Sequence, residues 1–299
     1  MRMTAAWIGK AWRRGGRGLL GLSLLLAGAL PAWAEQAHDW QIAMQPAVTP
    51  VRERIDALHN ELLVIITLIT LFVMGLLVTV MVRFNAKRHP APSRTTHNTL
   101  LEVVWTMMPV LILVFIAVPS FKLLYYEGDG PKPQLTVNVT GHQWYWSYDY
   151  PQQGDLSFDS MILSAAQDKT AGKPRLLGVN NPLVVPVGEV VAVDVRSTDV
   201  IHSWFMPSLG VQEYAMPGHV NHAWFKILKP GVYYGECNQI CGINHPFMPI
   251  EVDAVSPADF AKWLVMAKKK FASAGNNRPQ FAAMTARPAS PAALAGGHS

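Results

Sequence analysis

The chain has 299 residues; half are hydrophobic, only two are cysteines, and Lys plus Arg outnumber Asp plus Glu by 25 to 20, a formal charge of +5. Such a surplus invites a nucleic-acid partner, but the bases Arg2, Lys10, Arg13, Arg14 and Arg17 crowd the N-terminus and Arg83, Lys87, Arg88 and Arg94 a single connection. Residues 127–270 carry 14 acids against 11 bases, which excludes a polyanion footprint there and favours a basic protein partner.

The N-terminus reads as an export signal. Arg13, Arg14 and Arg17 precede a largely apolar run over 19–30 and then Ala32-Trp33-Ala34, the order of a basic region, an apolar region and a small-residue cleavage site. Residues 1–34 are therefore expected to be a signal peptide, followed by an exported segment over 35–61. The apolar run is too short to be a first membrane anchor.

Two longer stretches, 62–82 and 103–121, contain no charged residue, and each matches the roughly 20 residues that a helix needs to cross a bilayer. They predict a hairpin of two transmembrane helices over 62–124. The connection between them holds four bases and no acid before Glu102, so it belongs on the cytoplasmic side. Everything after about residue 124 then lies on the outer face, as the leader also requires.

Residues 131–254 contain short β-branched or alternating runs at 135–140, 183–185, 190–195, 220–227, 232–234 and 249–252, separated by Gly, Pro and Asn. This spacing predicts an all-β sandwich or barrel, within a domain spanning 125–270. A short amphipathic helix over 258–269, with Phe260, Trp263 and Leu264 on its apolar side, is expected to close it. Residues 271–299 are rich in Ala, Pro, Ser and Gly and poor in large apolar residues, the composition of a disordered tail.

Both cysteines fall in Cys237-Asn-Gln-Ile-Cys241-Gly-Ile-Asn-His245-Pro-Phe-Met248. Taken alone, the pair could form a disulfide in an exported domain, or join histidines at a zinc site. Zinc rarely takes a thioether, however, and a disulfide leaves His202, His245 and Met248 without a role. Thiolate, imidazole and thioether together are the donor set of copper.

The run from Tyr234 to Pro249 resembles the copper-binding loop of subunit II of the haem-copper cytochrome c oxidases. Gly141-His-Gln-Trp-Tyr-Trp-Ser-Tyr-Asp-Tyr150 and Asp199-Val-Ile-His-Ser-Trp-Phe-Met-Pro-Ser-Leu-Gly210 resemble two other segments of the same family, in the same order. The resemblance implies a cupredoxin Greek-key barrel behind the membrane hairpin, in a bacterial inner (cell) membrane with the copper domain on the periplasmic side. It further implies a dinuclear copper A centre bridged by Cys237 and Cys241. His202 and His245 would each bind one copper, with Met248 and the Gln239 backbone carbonyl as weak axial ligands.

Other roles follow from the same likeness. Trp144 would be the surface tryptophan that takes electrons from cytochrome c. Asp149, Asp155, Asp159 and Asp199 would attract that partner, while Gln152 and Gly154 stand where the family has further acids. Glu102 would open a proton pathway into the haem-bearing subunit I; its other reading is a carboxylate capping its own helix. Subunit III is a further expected partner. Gln239 replaces a magnesium-binding Glu, which leaves it between a weak magnesium contact and an ordinary loop hydrogen bond. Gln212, Tyr214 and His219 stand where relatives have Lys, Asp and Arg at the face toward subunit I. The implied activity is electron transfer from cytochrome c through copper to haem in subunit I, where oxygen is reduced to water. A copper-delivery protein without electron-transfer duty is the alternative, and a quinol oxidase subunit is opposed by the cysteines.

Overall fold

The computed structural model describes residues 34–35, 37–91, 93–154 and 156–271. The leader expected over 1–34, all but its last residue, lies outside these, as do Asp155 and the tail after Phe271.

Helix α1 (Pro50–Arg83) and helix α2 (Thr99–Gly128) contain both uncharged stretches and are long and apolar enough to cross a membrane. Their apolar windows are unburied by the rest of the chain, as expected of surface that faces lipid or a partner. At 1.5 Å per residue α1 is about 51 Å long, whereas a bilayer core needs only about 30 Å. Its charged first turns, with Arg52, Glu53, Arg54 and Asp56, therefore stand outside the membrane.

Those turns are fixed to the β-domain. Thr49 caps α1 by accepting the Arg52 N–H, and its hydroxyl donates to the Leu209 carbonyl at 2.7 Å. At the same end of the hairpin, in the last turn of α2, the Trp224 indole donates to the Glu127 carbonyl at 2.9 Å, and the Tyr126 ring meets Trp224 edge-on at 5.4 Å. Arg54 lies 3.6 Å above the Tyr126 ring, a cation–π contact joining the two helices.

The exported part is a sandwich of two sheets, in keeping with the all-β expectation. One has the order β5 (Leu183–Pro186), β11 (Pro249–Val255), β10 (Gly231–Cys237), β7 (His202–Met206) and β8 (Val211–Ala215). A two-residue strand β1 (Ala34–Glu35) pairs in parallel with β10. The other has the order β4 (Leu156–Ser160), β3 (Tyr145–Tyr150), β2 (Leu135–His142), β6 (Val191–Ser197) and β9 (Asn221–Phe225). Strand alternation builds the core between them: Val191, Val193 and Val195 of β6 point inward with Val137, Val139, Trp146 and Phe158, against Trp204, Met206, Ile250 and Val252 of the facing sheet.

Two short helices complete the domain. Helix α3 (Ala165–Ala171) starts with a capping box in which Ser164 and Gln167 exchange side-chain and backbone hydrogen bonds. Behind it Lys173 reaches the nearly buried Glu251 at 2.9 Å. Helix α4 (Pro257–Phe271) is the expected closing helix; Phe260 is buried, Trp263 packs on Tyr150, and Phe271 stacks on Phe158 at 4.8 Å. Phe271, expected to begin the tail, is thus the last residue of a packed helix.

Candidate metal centre

Strands β10 and β11 form an antiparallel pair, and the site is the loop between them. The loop is closed at its base, where the Cys237 N–H donates to the Met248 carbonyl at 3.3 Å. Cys237 pairs with Trp204 of β7, which puts His202, at the start of that strand, beside the cysteines. The ligand atoms of His202, Cys237 and Cys241 all lie within 4.8 Å of one another, and all three residues are buried.

The sulfurs of Cys237 and Cys241 are 3.9 Å apart and both thiols are free, so no disulfide joins them. Cys241 Sγ lies 3.6 Å from His245 Nδ1 and 3.5 Å from Met248 Sδ. The Gln239 carbonyl accepts the Cys237 thiol at 3.3 Å. Burial, reinforced by the neighbouring Cys237, pushes the Cys241 thiol up to about 12. A cation at the same place would favour the Cys241 thiolate, which is how metals bind thiolates.

His202 supplies the test of fit. It is fully buried, its Nε2 lies 2.8 Å from Asp199 Oδ1, and its Nδ1 has no hydrogen-bond partner. A hydrogen bond from Nε2–H to the carboxylate leaves the lone pair on Nδ1. An unpaired buried nitrogen costs stability unless something binds it. A soft cation beside the two sulfurs would satisfy it, and five of the six donors expected from the sequence, two thiolates, two imidazoles and a thioether, are the soft and borderline groups that copper prefers, the Gln239 carbonyl being the one hard oxygen.

Strand β3 and the turn before it brace the loop. The buried Trp146 indole donates to the Met248 carbonyl at 3.3 Å and meets the His202 ring edge-on. The Trp144 indole donates to the Cys241 carbonyl, also at 3.3 Å, and Gln143 Nε2 donates to that carbonyl at 2.8 Å. Two glycines make the approach possible. Gly242 has a φ of +126°, and a Cβ there would lie 2.9 Å from the Trp144 ring; a Cβ at Gly141 would lie 2.8 Å from His202.

The remaining predicted residues are more engaged than scattered surface acids would be. Partial burial opposes the charge of Asp199, yet hydrogen bonds from His202 and from the Val200 and Gln143 N–H groups hold its carboxyl below the ordinary value. Asp159 accepts the Ser147 hydroxyl at 2.6 Å, and Asp149 lies 3.8 Å from Arg196. Glu102 accepts the Asn98 N–H at 3.1 Å, while the Asn98 side chain accepts the Leu101 N–H, so Glu102 caps its own helix. Sequence reasoning missed the orienting contact of Asp199 on His202, although the three-residue spacing hinted at it. It also missed an exposed apolar rim on and beside the loop, made by Ile201, Ile240, Ile243 and Phe247.

Comparisons with known proteins agree on one family. Residues 37–123 match the family described as cytochrome C oxidase subunit II, transmembrane domain, and residues 135–255 match its periplasmic domain. The chain belongs to the cytochrome c oxidase subunit II family. It is 46% identical over 245 residues to "Probable cytochrome c oxidase subunit 2" of Rickettsia bellii, covering 82% of this chain and 90% of that one. It is 42% identical over 239 residues to cytochrome c oxidase subunit 2 of Oenothera berteroana, covering 78% of this chain and 92% of the relative. Among solved structures, the periplasmic domain of subunit II of cytochrome oxidase from Bradyrhizobium japonicum aligns with 50% identity and a TM-score of 0.45, over 47% of this chain and 98% of that domain. As a member of this family the chain is a membrane protein with a periplasmic domain, a subunit of a cytochrome c oxidase, and its His202, Cys237 and Cys241 cluster is consistent with a copper centre.

Proposed function

We propose that this chain receives electrons from cytochrome c and passes them to haem in subunit I of a bacterial inner-membrane oxidase, through two copper ions held in the β10–β11 loop. Cys237, Cys241, His202, His245, Met248 and the Gln239 carbonyl would hold the copper. Bound there, two copper ions would supply a one-electron couple shared between them, with little bond rearrangement on each transfer.

The observation that carries this reading is the unpaired Nδ1 of buried His202 beside two free thiols. The chain's own residues do the rest. Asp199 fixes the ring and tautomer of His202, as carboxylates behind metal-bound histidines do. Trp146 and the cysteine loop keep water from the buried sulfurs. Trp144, half-buried and bonded to the Cys241 carbonyl, is the route inward from the surface. The exposed apolar residues on and beside the loop suit the core of a transient interface with a basic partner, and Asp149, Asp159 and the outer oxygen of Asp199 would supply rim charge.

The test is a stopped-flow experiment that mixes oxidised complex with reduced cytochrome c. The copper absorption should bleach before the haem bands change. Haem reduction at the normal rate in copper-depleted complex would contradict the proposal.

A further inference from the structure

Gln143 is outside the donor set yet touches both sides of it. Its backbone N–H donates to Asp199 Oδ2 at 2.6 Å, and the other oxygen of that carboxylate holds His202 at 2.8 Å. Its side-chain Nε2 donates to the Cys241 carbonyl at 2.8 Å. The same carbonyl takes the indole N–H of the next residue, Trp144.

We propose that Gln143 is a positioning residue that ties the histidine side of the centre to the cysteine side and seats Trp144 against Cys241. The inference rests on the copper reading above. A carbonyl has two lone pairs, and at Cys241 both are filled by donors from one turn, at positions 143 and 144. The orientation of that peptide sets the direction of the Cys241 Cα–Cβ bond and so of its sulfur. The backbone branch does the same for the imidazole, because Asp199 accepts from Gln143, Val200 and Ser197 at once and has little freedom to turn. Gly242 keeps the space open: a Cβ there would lie 3.1 Å from Gln143 Nε2. Outer-shell hydrogen bonds of this kind tune a metal's ligand geometry and potential without touching the metal.

Gln143→Met tests the side-chain branch, since methionine has similar length, no N–H to donate, and leaves the backbone N–H in place. The full chain, purified in detergent and loaded with copper, is compared with wild type by copper content, EPR and midpoint potential. The variant should load fully at saturating copper but bind it about fivefold more weakly, the factor one neutral hydrogen bond is worth. Its hyperfine splitting and midpoint potential should both move from the wild-type values. Gln143→Lys, which keeps an N–H donor on a long side chain, should restore the splitting.

A Gln143→Met protein with wild-type splitting and potential, altered only in its KM for cytochrome c, would overturn the assignment and make Gln143 a docking residue. So would a Gln143→Lys protein that stays as perturbed as the methionine variant. If Gln143→Met does not fold, Gln143→Leu, which also removes the N–H donor, takes its place with the same two outcomes. A wild-type chain lacking any paired-copper signal would instead defeat the reading on which the assignment rests.

Discussion

The Trp144 indole N–H is hydrogen-bonded to the backbone carbonyl of Cys241, so the aromatic surface of the domain is one hydrogen bond from a residue of the buried sulfur pair. A partner that stacks on Trp144 thereby comes into contact with the centre without exposing the sulfurs to water.

Replacing Trp144 by Ala would remove both the proposed electron route and the large ring of the proposed interface. Truncating such an anchor typically costs about 2 kcal/mol of binding, a factor of about thirty. Steady-state assays should show a raised KM for cytochrome c and a lowered kcat, while copper content stays at the wild-type value.

Asp199→Asn keeps the size of the side chain but weakens the hold on His202 Nε2. Loss of the partner behind a metal-bound histidine usually costs about 10–100-fold in metal affinity. Competitive copper titration should show a drop of that order, larger than that for Asp159→Asn, whose carboxylate is bound to Ser147 rather than to His202.

Asp253 offers a pH test away from the metal. Its carboxyl is largely buried beside Glu251, one oxygen has no partner, and burial followed by Glu251 raises it to about 6, with Lys173 pulling the other way. Because the folded value lies above the unfolded one, the folded state binds the proton more tightly. The group's stabilising contribution is complete below about pH 4 and is lost as pH rises through 6, about 2–3 kcal/mol in all. Asp253→Asn should therefore be more stable than wild type at pH 7.5 and lack this part of the pH slope in thermal melts.

Lys173 is the cation that pairs with Glu251, of which only 2% is exposed. Lys173→Met leaves a buried carboxylate whose other recorded partner is the Val179 N–H. Breaking a buried pair from one side costs about 3–5 kcal/mol. Urea denaturation should show a loss of that size, with the copper spectrum of the folded protein unchanged.

The hairpin and much of the sandwich were legible because their signals are local. Uncharged runs of bilayer length mark α1 and α2, and the valine alternation around Val191, Val193 and Val195 marks β6. Strands β7 and β8 were not picked out as runs. In His202–Met206 a buried His and Ser adjoin Trp, and in Val211–Ala215 an exposed Gln and Tyr interrupt an edge strand, so neither pattern follows hydrophobicity alone. Short β4 and α3 were also hidden, the latter resting on a capping box rather than on an apolar face.

The donor residues were legible because five of the six candidates are packed into twelve positions, and their types restrict the metal. What joins them was not. The bonds of Gln143 and Trp144 to Cys241 span about a hundred residues, and Asp199, read as a docking acid, uses its carboxylate on His202. Glu102 likewise closes the first turn of α2, a contact that pattern alone left as one of two readings.

The most direct test of the paired-copper centre is quantitative metal analysis together with EPR on the purified full chain loaded with copper. Two copper ions per chain and a seven-line hyperfine pattern, from one unpaired electron shared equally by both nuclei, are the predicted result. One copper per chain with a four-line pattern, bound zinc, or a Cys237–Cys241 disulfide in the metal-loaded protein would contradict it.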